Sequence, residues 1–177
     1  MSQIRNKIWH DLADAKCGEE YTILYLARQR TIRKWFKIVT ILLSAGGIVS
    51  AFKSATIPSI ITCSFIGIAQ LATSIENHII HSEEALDNLG KIRHLYYERA
   101  NKLGELWDLL QNDKISEDEA SSRFYSLRES ASEIEKLDGK QVIPTKKKLH
   151  DISEGKSKEY LTRYHYEQTE QTNTTDN

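Results

Sequence analysis

Ile38–Phe52 reads IVTILLSAGGIVSAF, and after Lys53–Thr56 the chain resumes as IPSIITCSFIGIAQLATSI over Ile57–Ile75. Neither run carries a charged side chain. Extended back to Phe36, the first run reaches about 17 residues, the short end of spanning length, and the second comes close to the ~20 that a bilayer core requires. Pro58 falls in the first turn of the second helix, where a missing N–H costs little. The reading is a two-helix transmembrane hairpin at about 36–52 and 57–75. The competing reading is a soluble bundle with the hairpin buried, but a chain of 177 residues rarely buries two helices that are apolar on nearly every face.

Outside the hairpin the chain is polar. Its 24 Lys and Arg against 25 Asp and Glu give a net charge of -1, which argues against a nucleic-acid coat and against an acidic tail. Two prolines and eight glycines favour long helices with few breaks. The cysteines, Cys17 and Cys63, lie in segments of different character and read as free thiols. The first apolar run starts too late, after many charges, to be the core of a cleavable signal peptide.

Basic residues set the orientation. Arg28, Arg30, Arg33, Lys34 and Lys37 crowd the approach to the first span, whereas the hairpin loop carries Lys53 alone. Positive charge retained on the inside then places both termini in the cytoplasm, with Trp35 as an interfacial anchor.

One side of the second span reads Ser59, Thr62, Ile66, Gln70, Thr73, Asn77, His81 and Glu84, at helical spacing throughout. The opposite side is Ile61, Phe65, Ile68, Ala72, Ile75 and Ile79. An amide such as that of Gln70 is costly in hydrocarbon unless it is bonded, so the polar stripe needs a partner. Two partners fit. Hydroxyls and amide can bond to a neighbouring helix, or Ser59, Thr62, Ile66, Gln70, Thr73 and Asn77 can line a water-filled pore with Ile66 as an apolar constriction. A pore requires several copies. In the first span, Ser44, Gly46, Gly47, Ser50 and Ala51 give small-xxx-small spacing suited to close helix packing.

The remaining segments read as cytoplasmic helices. Ile4, Ile8, Leu12 and Ala15 share one face of a helix over 3–16, and Gly18 is expected to break it. Glu19 and Glu20 then start a second helix that passes Tyr21, Leu24 and Ala27 and continues into the first span. After the membrane the second span is expected to run on as one helix to about Leu110. Leu86, Leu89, Arg93, Tyr96, Ala100, Leu103, Trp107 and Leu110 make a heptad seam on it, Arg93 being its polar member. Ser116 and Glu119 form a capping box for a helix with Ala120, Phe124, Leu127, Ala131 and Ile134, ended by Gly139. Gln141–Pro144 is a linker, 146–164 a last helix, and the Thr-, Gln- and Asn-rich end a disordered tail. The domain plan is therefore N-terminal helices over 1–35, the hairpin over 36–75, a helical domain over 76–165 and a tail over 166–177. The fold class is all-α, with a long cytoplasmic bundle or coiled coil, in an oligomer.

No phosphate-binding loop, nucleophile elbow or zinc-protease motif is present. His78 and His81, with Glu84 on the same side, suit a metal at a pore mouth and equally a solvated juxtamembrane helix. Cys17 has no evident catalytic base nearby in sequence. Neither enzyme activity nor a cofactor is expected. Lys146, Lys147 and Lys148 are the densest basic run; they suit a solvated helix start, or a site for a nucleotide or short nucleic acid with Arg123 and Arg128 assisting.

The layout resembles the SLATT family of bacterial two-transmembrane effectors. The resemblance covers roughly residues 5–165. It rests on Trp9 and Ala13, Tyr21 and Leu24, the basic-aromatic segment Arg28–Trp35 leading into a tight hairpin, and a long helix with Leu103 and Trp107. It implies a pore-forming or membrane-disrupting effector of anti-phage defence in the bacterial inner membrane. It further implies a homo-oligomer, tetrameric or larger, under control of a nucleotide or oligonucleotide made by a nucleotidyltransferase encoded nearby. The signal would either open the channel or hold it shut. Two other readings stay open: a membrane anchor or scaffold that recruits a partner and conducts nothing, and a soluble helical interaction module.

Overall fold

From Gln3 to Lys53 the chain contains no proline, and buried positions recur along it at steps of three and four: Ile8, Leu12, Ala15, Glu19, Thr22, Tyr25. The stripe passes Gly18 without losing register. The computed structural model, which describes residues 3–53, 67, 82–140 and 145–175, accordingly forms one helix here, α1, Gln3–Lys53. The break expected at Gly18 does not occur. Three further helices follow: α2 (Glu83–Gln111), α3 (Glu117–Lys140) and α4 (Lys147–Thr175). No strand occurs among the described residues.

Helix ends follow local chemistry. Ser82 Oγ accepts the backbone N–H of Ala85 at 3.1 Å, and Glu83 and Glu84 occupy the first turn of α2, where acids complement the helix dipole. The single helix expected to run from the second span to Leu110 is therefore not formed, because α2 starts afresh at this cap. Its other end is a Schellman turn: Lys114 N–H donates to Leu109 O at 2.9 Å and Asp113 N–H to Leu110 O at 3.3 Å. Asp113 takes φ 51°, a left-handed conformation that aspartate tolerates better than most residues. Arg5 reaches this end from α1, donating to Leu110 O at 3.3 Å and Asp113 Oδ1 at 3.1 Å. Ser116 caps α3 through the Glu119 N–H at 3.2 Å. The Glu119 carboxylate accepts from Arg123 one turn on. Gly139 lies in the last turn of α3. The α4 backbone continues through 166–175, where composition alone predicts disorder; propagation from a formed helix is far less costly than nucleation, and neither glycine nor proline follows Gly155.

The chain divides into two units. The first comprises Met1–Tyr25 and Asp87–Asn177. Its core joins Ile8, Leu12 and Ala15 of α1 to Ala100, Leu103, Leu106, Trp107 and Leu110 of α2, Ala120 and Phe124 of α3, and Leu161 of α4. Trp9 and Trp107 meet at 4.9 Å between ring centroids, tilted by 46°. The face that α2 buries differs from the expected seam. Arg93 is exposed, while Ile92 and Leu106 are buried, because a straight helix drifts away from a strict seven-residue repeat. On α1 the buried ring near the expected Leu24 is that of Tyr25.

The second unit is Leu26–Leu86. Within it Arg33 forms an ion pair with Glu83. Trp35, Val39, Ile41 and Leu42 are exposed, Leu42 at 66 %. No described helix is long and apolar enough to cross a membrane. The side chains of 43–53 and the second apolar run apart from Gly67 lie outside the described residues.

Candidate functional site

Gly18, Tyr21 and Thr22 stand on consecutive turns of α1, with Asp14 and Cys17 just before them. These five, with Tyr96 of α2 and Thr145 and His150 at the start of α4, line a cleft of about 270 Å³. The α1 wall and the approach to α4 are held in place. Thr22 Oγ1 donates to Gly18 O at 2.8 Å, which satisfies a buried hydroxyl within its own helix. Tyr21 and Tyr25 stack, with centroids 6.2 Å apart and planes at 15°. Lys146 N–H donates to the Tyr21 hydroxyl at 3.0 Å, and Lys146 Nζ stands 5.9 Å from the Tyr25 ring centroid, within cation–π range. The approach to α4 is thus pinned to α1 by both nitrogens of Lys146.

Beneath the cleft, Cys17 Sγ lies 3.5 Å from Ser153 Oγ, and Ser153 Oγ donates to His150 O at 2.8 Å. Ser153 and Ser157 are buried. One turn further, Lys158 donates to Glu154 at 2.6 Å. That hydrogen bond, with the lysine's charge, holds the Glu154 carboxyl below its usual range and raises Lys158 in turn. Lys16 bonds Glu19 at 2.8 Å and stands 4.3 Å from the Tyr160 ring centroid. The cleft therefore combines two phenol rings, a carboxylate, an imidazole and two threonines; Lys147 and Lys148 are exposed and do not belong to its lining.

The five basic residues singled out in the sequence fall in different places. Thr145 and His150, which flank Lys146–Lys148, line this cleft. Arg123 lines another, with Lys102, Glu105 and Ser126 among its walls, and is engaged by Glu119 at 2.6 Å. Arg128 is exposed on α3. The candidate pore residues Ser59, Thr62, Ile66, Gln70, Thr73 and Asn77 lie outside the described residues, as do Cys63, His78, His81 and the Gln141–Pro144 linker. Ser44, Gly46, Gly47, Ser50 and Ala51 lie on the helical backbone of α1, their side chains undescribed. Among the described residues no group of His, Cys, Asp and Glu is arranged to hold a metal ion.

Sequence reading missed the cleft. Its walls come from residues more than a hundred positions apart, and what marked them locally was a glycine followed by aromatic residues, which read as a helix break. Comparison with protein-family models, curated proteins and solved structures finds no match to this chain.

Proposed function

We propose that the chain is a two-span effector of the bacterial inner membrane that assembles as a homo-oligomeric ion channel, tetrameric or larger. A nucleotide or short oligonucleotide, made by a partner nucleotidyltransferase in response to phage, gates it from the cytoplasm. The gated current depolarises the infected cell and stops its growth. Ser59, Thr62, Ile66, Gln70, Thr73 and Asn77 line the conduit, and the small residues of the first span pack it.

The observation that carries this reading is the continuity of α1. One unbroken helix holds the cleft residues Asp14, Cys17, Gly18 and Tyr21 and also enters the first apolar run. A ligand that favours one conformation of the cleft therefore acts on the helix that leads to the membrane, and a shift in that equilibrium requires only differential affinity for the two states. The exposed Trp35, Val39, Ile41 and Leu42 suit a lipid surrounding, with the indole at the interface. The charge asymmetry about the hairpin supports the same orientation.

The experiment is ion flux from liposomes that hold the purified protein, comparing the wild type with Gln70→Leu and Ile66→Ala. Gln70→Leu is expected to reduce flux and Ile66→Ala to raise the resting leak, since a smaller side chain weakens a dewetted constriction. Flux indifferent to both changes removes the proposed lining. Membranes that stay tight under every trigger favour a non-conducting anchor instead.

A further inference from the structure

The cleft between α1, α2 and the start of α4 has one acid and two tyrosine rings in its lining, and neither lysine nor arginine. We infer that it is a binding site for a small organic ammonium ion, a protonated primary amine such as one end of a diamine or polyamine. The inference goes beyond the channel reading, whose signal is an anion, and it stands whether or not the chain conducts.

The charge of the lining is the first argument. Asp14 is exposed and forms no hydrogen bond or ion pair among the described residues. An ionised carboxylate accepts at both oxygens and donates nothing, so a charged donor suits it best. Lysines on the neighbouring turns are committed elsewhere: Lys16 to Glu19 at 2.8 Å, Lys156 to Glu20 at 3.3 Å and Lys158 to Glu154 at 2.6 Å. Lys147 and Lys148 are exposed and lie outside the lining, and at physiological ionic strength salt screens such charges beyond roughly 8 Å.

The rings are the second argument. The face of a phenol attracts a cation within about 6 Å of its centroid, and tyrosines around this cleft already do so. Lys146 Nζ stands 5.9 Å from the Tyr25 centroid, and Lys16 Nζ stands 4.3 Å from that of Tyr160 and 5.9 Å from that of Tyr97. Tyr25 is the stacking partner of Tyr21, and Tyr97 follows Tyr96 in the chain. Tyr21 and Tyr96 extend the same kind of surface into the cleft. The seat of the Tyr96 ring is set by Gly18, where a Cβ would stand 2.5 Å from its Cε1.

Size and acceptors are the third. At about 270 Å³ the cleft lies just below the ~300–1,000 Å³ of drug-sized sites, which suits a ligand of few heavy atoms. A primary ammonium brings three N–H donors. Besides Asp14 it meets the hydroxyl oxygens of Thr145 and of Thr22, whose proton goes to Gly18 O at 2.8 Å and whose lone pairs remain. The alkyl chain has the phenol rings to lie against. Among the described residues no group of His, Cys, Asp and Glu is arranged for a metal ion, so a cation held by rings and hydroxyls as well as one acid fits where a metal does not.

The test is isothermal titration of the full chain in uncharged detergent at about 0.15 M salt, so that exposed charges are screened. The probes are putrescine, spermidine and 1,4-butanediol, the last a neutral isostere of the first. Both amines are expected to bind and the diol not to. Asp14→Asn should weaken the amines about tenfold, the loss of one hydrogen bond between charged partners, and Asp14→Glu should retain more of the affinity. Asp151→Asn removes the same charge at an exposed position outside the lining and should leave the affinities unchanged. Circular dichroism of all three variants should match the wild type. Three results overturn the inference: no binding of either amine to the wild type, diol binding as tight as that of putrescine, or equal losses in Asp14→Asn and Asp151→Asn. The first two are read on the wild type and do not depend on how any variant folds.

Discussion

The ring of Tyr96 occupies the space beside α1 that any side chain at position 18 would need: a Cβ on Gly18 would stand 2.5 Å from Tyr96 Cε1 and 2.7 Å from Cζ. Glycine in a helix interior costs about 1 kcal/mol relative to alanine, so its presence here trades propensity for close approach. Gly18→Ala is expected to destabilise the protein despite the better helix former, by about 1–3 kcal/mol as for other overpacked sites. Thermal or denaturant unfolding in detergent reads the effect. Truncating the ring, in Gly18→Ala with Tyr96→Ala, should recover part of the loss relative to the sum of the two single changes. A Gly18→Ala protein as stable as the wild type would show that the ring moves aside at no cost.

Arg99 ties three helices with one guanidinium. Nη2 donates to Asp11 Oδ2 of α1 at 2.8 Å and Nη1 to Leu127 O of α3 at 2.9 Å. Its side chain is 11 % exposed and that of Asp11 31 %, so the pair is only partly screened by solvent. Arg99→Ala is expected to cost about 2–3 kcal/mol, the scale of hydrogen bonds that involve a charged group. Arg99→Lys should rescue little of that, because an ammonium lacks the planar fork that serves two acceptors. Asp11→Asn should cost less than Arg99→Ala, since the bond to Leu127 O survives. Equal losses for Asp11→Asn and Arg99→Ala would place the whole effect in the ion pair.

How much of this was legible in the sequence depended on the range of the signal. Local signals held. Half of the capping box is observed, since Ser116 accepts the Glu119 N–H while the Glu119 carboxylate bonds Arg123, and Ile8, Leu12 and Ala15 share the buried face that their period predicts. Gly18 failed because a helix breaker and a packing glycine both require the absence of a Cβ, and only the partner, Tyr96, distinguishes them. The start of α2 behind Ser82 was missed because a capping serine between apolar and acidic segments also fits an exposed turn of a continuing helix. The cleft was invisible for a different reason. Its polar walls sit on helices where Thr22, Ser153 and Ser157 bond to carbonyls of their own helix, so no local pattern signals that their neighbours enclose a space.

Acid and base should each remove the Glu154–Lys158 contribution to α4. The folded carboxyl titrates below its ordinary value of 4.5, chiefly through the hydrogen bond from Lys158. Its stabilising effect is therefore complete above that value and lost as pH falls through the lowered folded pKa. Lys158 titrates above its ordinary value of 10.5 through the same bond, so its effect is complete below that value and lost as pH rises through the raised one. Both groups are solvent-exposed, and the effect is correspondingly small and salt-sensitive. Glu154→Gln should melt slightly below the wild type at neutral pH in low salt. The gap should close in strong acid and in molar salt. A gap that persists under both conditions would mean that Glu154 acts through packing and not through charge.

Trp107 offers the sharpest contrast between shape and polarity in the core. It is 1 % exposed, it packs on Trp9, and its indole Nε1 is buried without a hydrogen-bond partner among the described residues. A buried polar group left unpaired costs about 1–3 kcal/mol, whereas the ring's bulk is what fills the space between α1 and α2. Trp107→Ala should therefore lose about 3–5 kcal/mol, as for other buried aromatic truncations. Trp107→Phe removes the unpaired N–H along with part of the volume, so the two terms oppose each other and the net loss should be well under half that of the alanine variant. Unfolding of the two variants side by side decides the matter. A phenylalanine variant as damaged as the alanine one would mean that the indole N–H is bonded in the folded protein and that polarity, not volume alone, holds Trp107 in place.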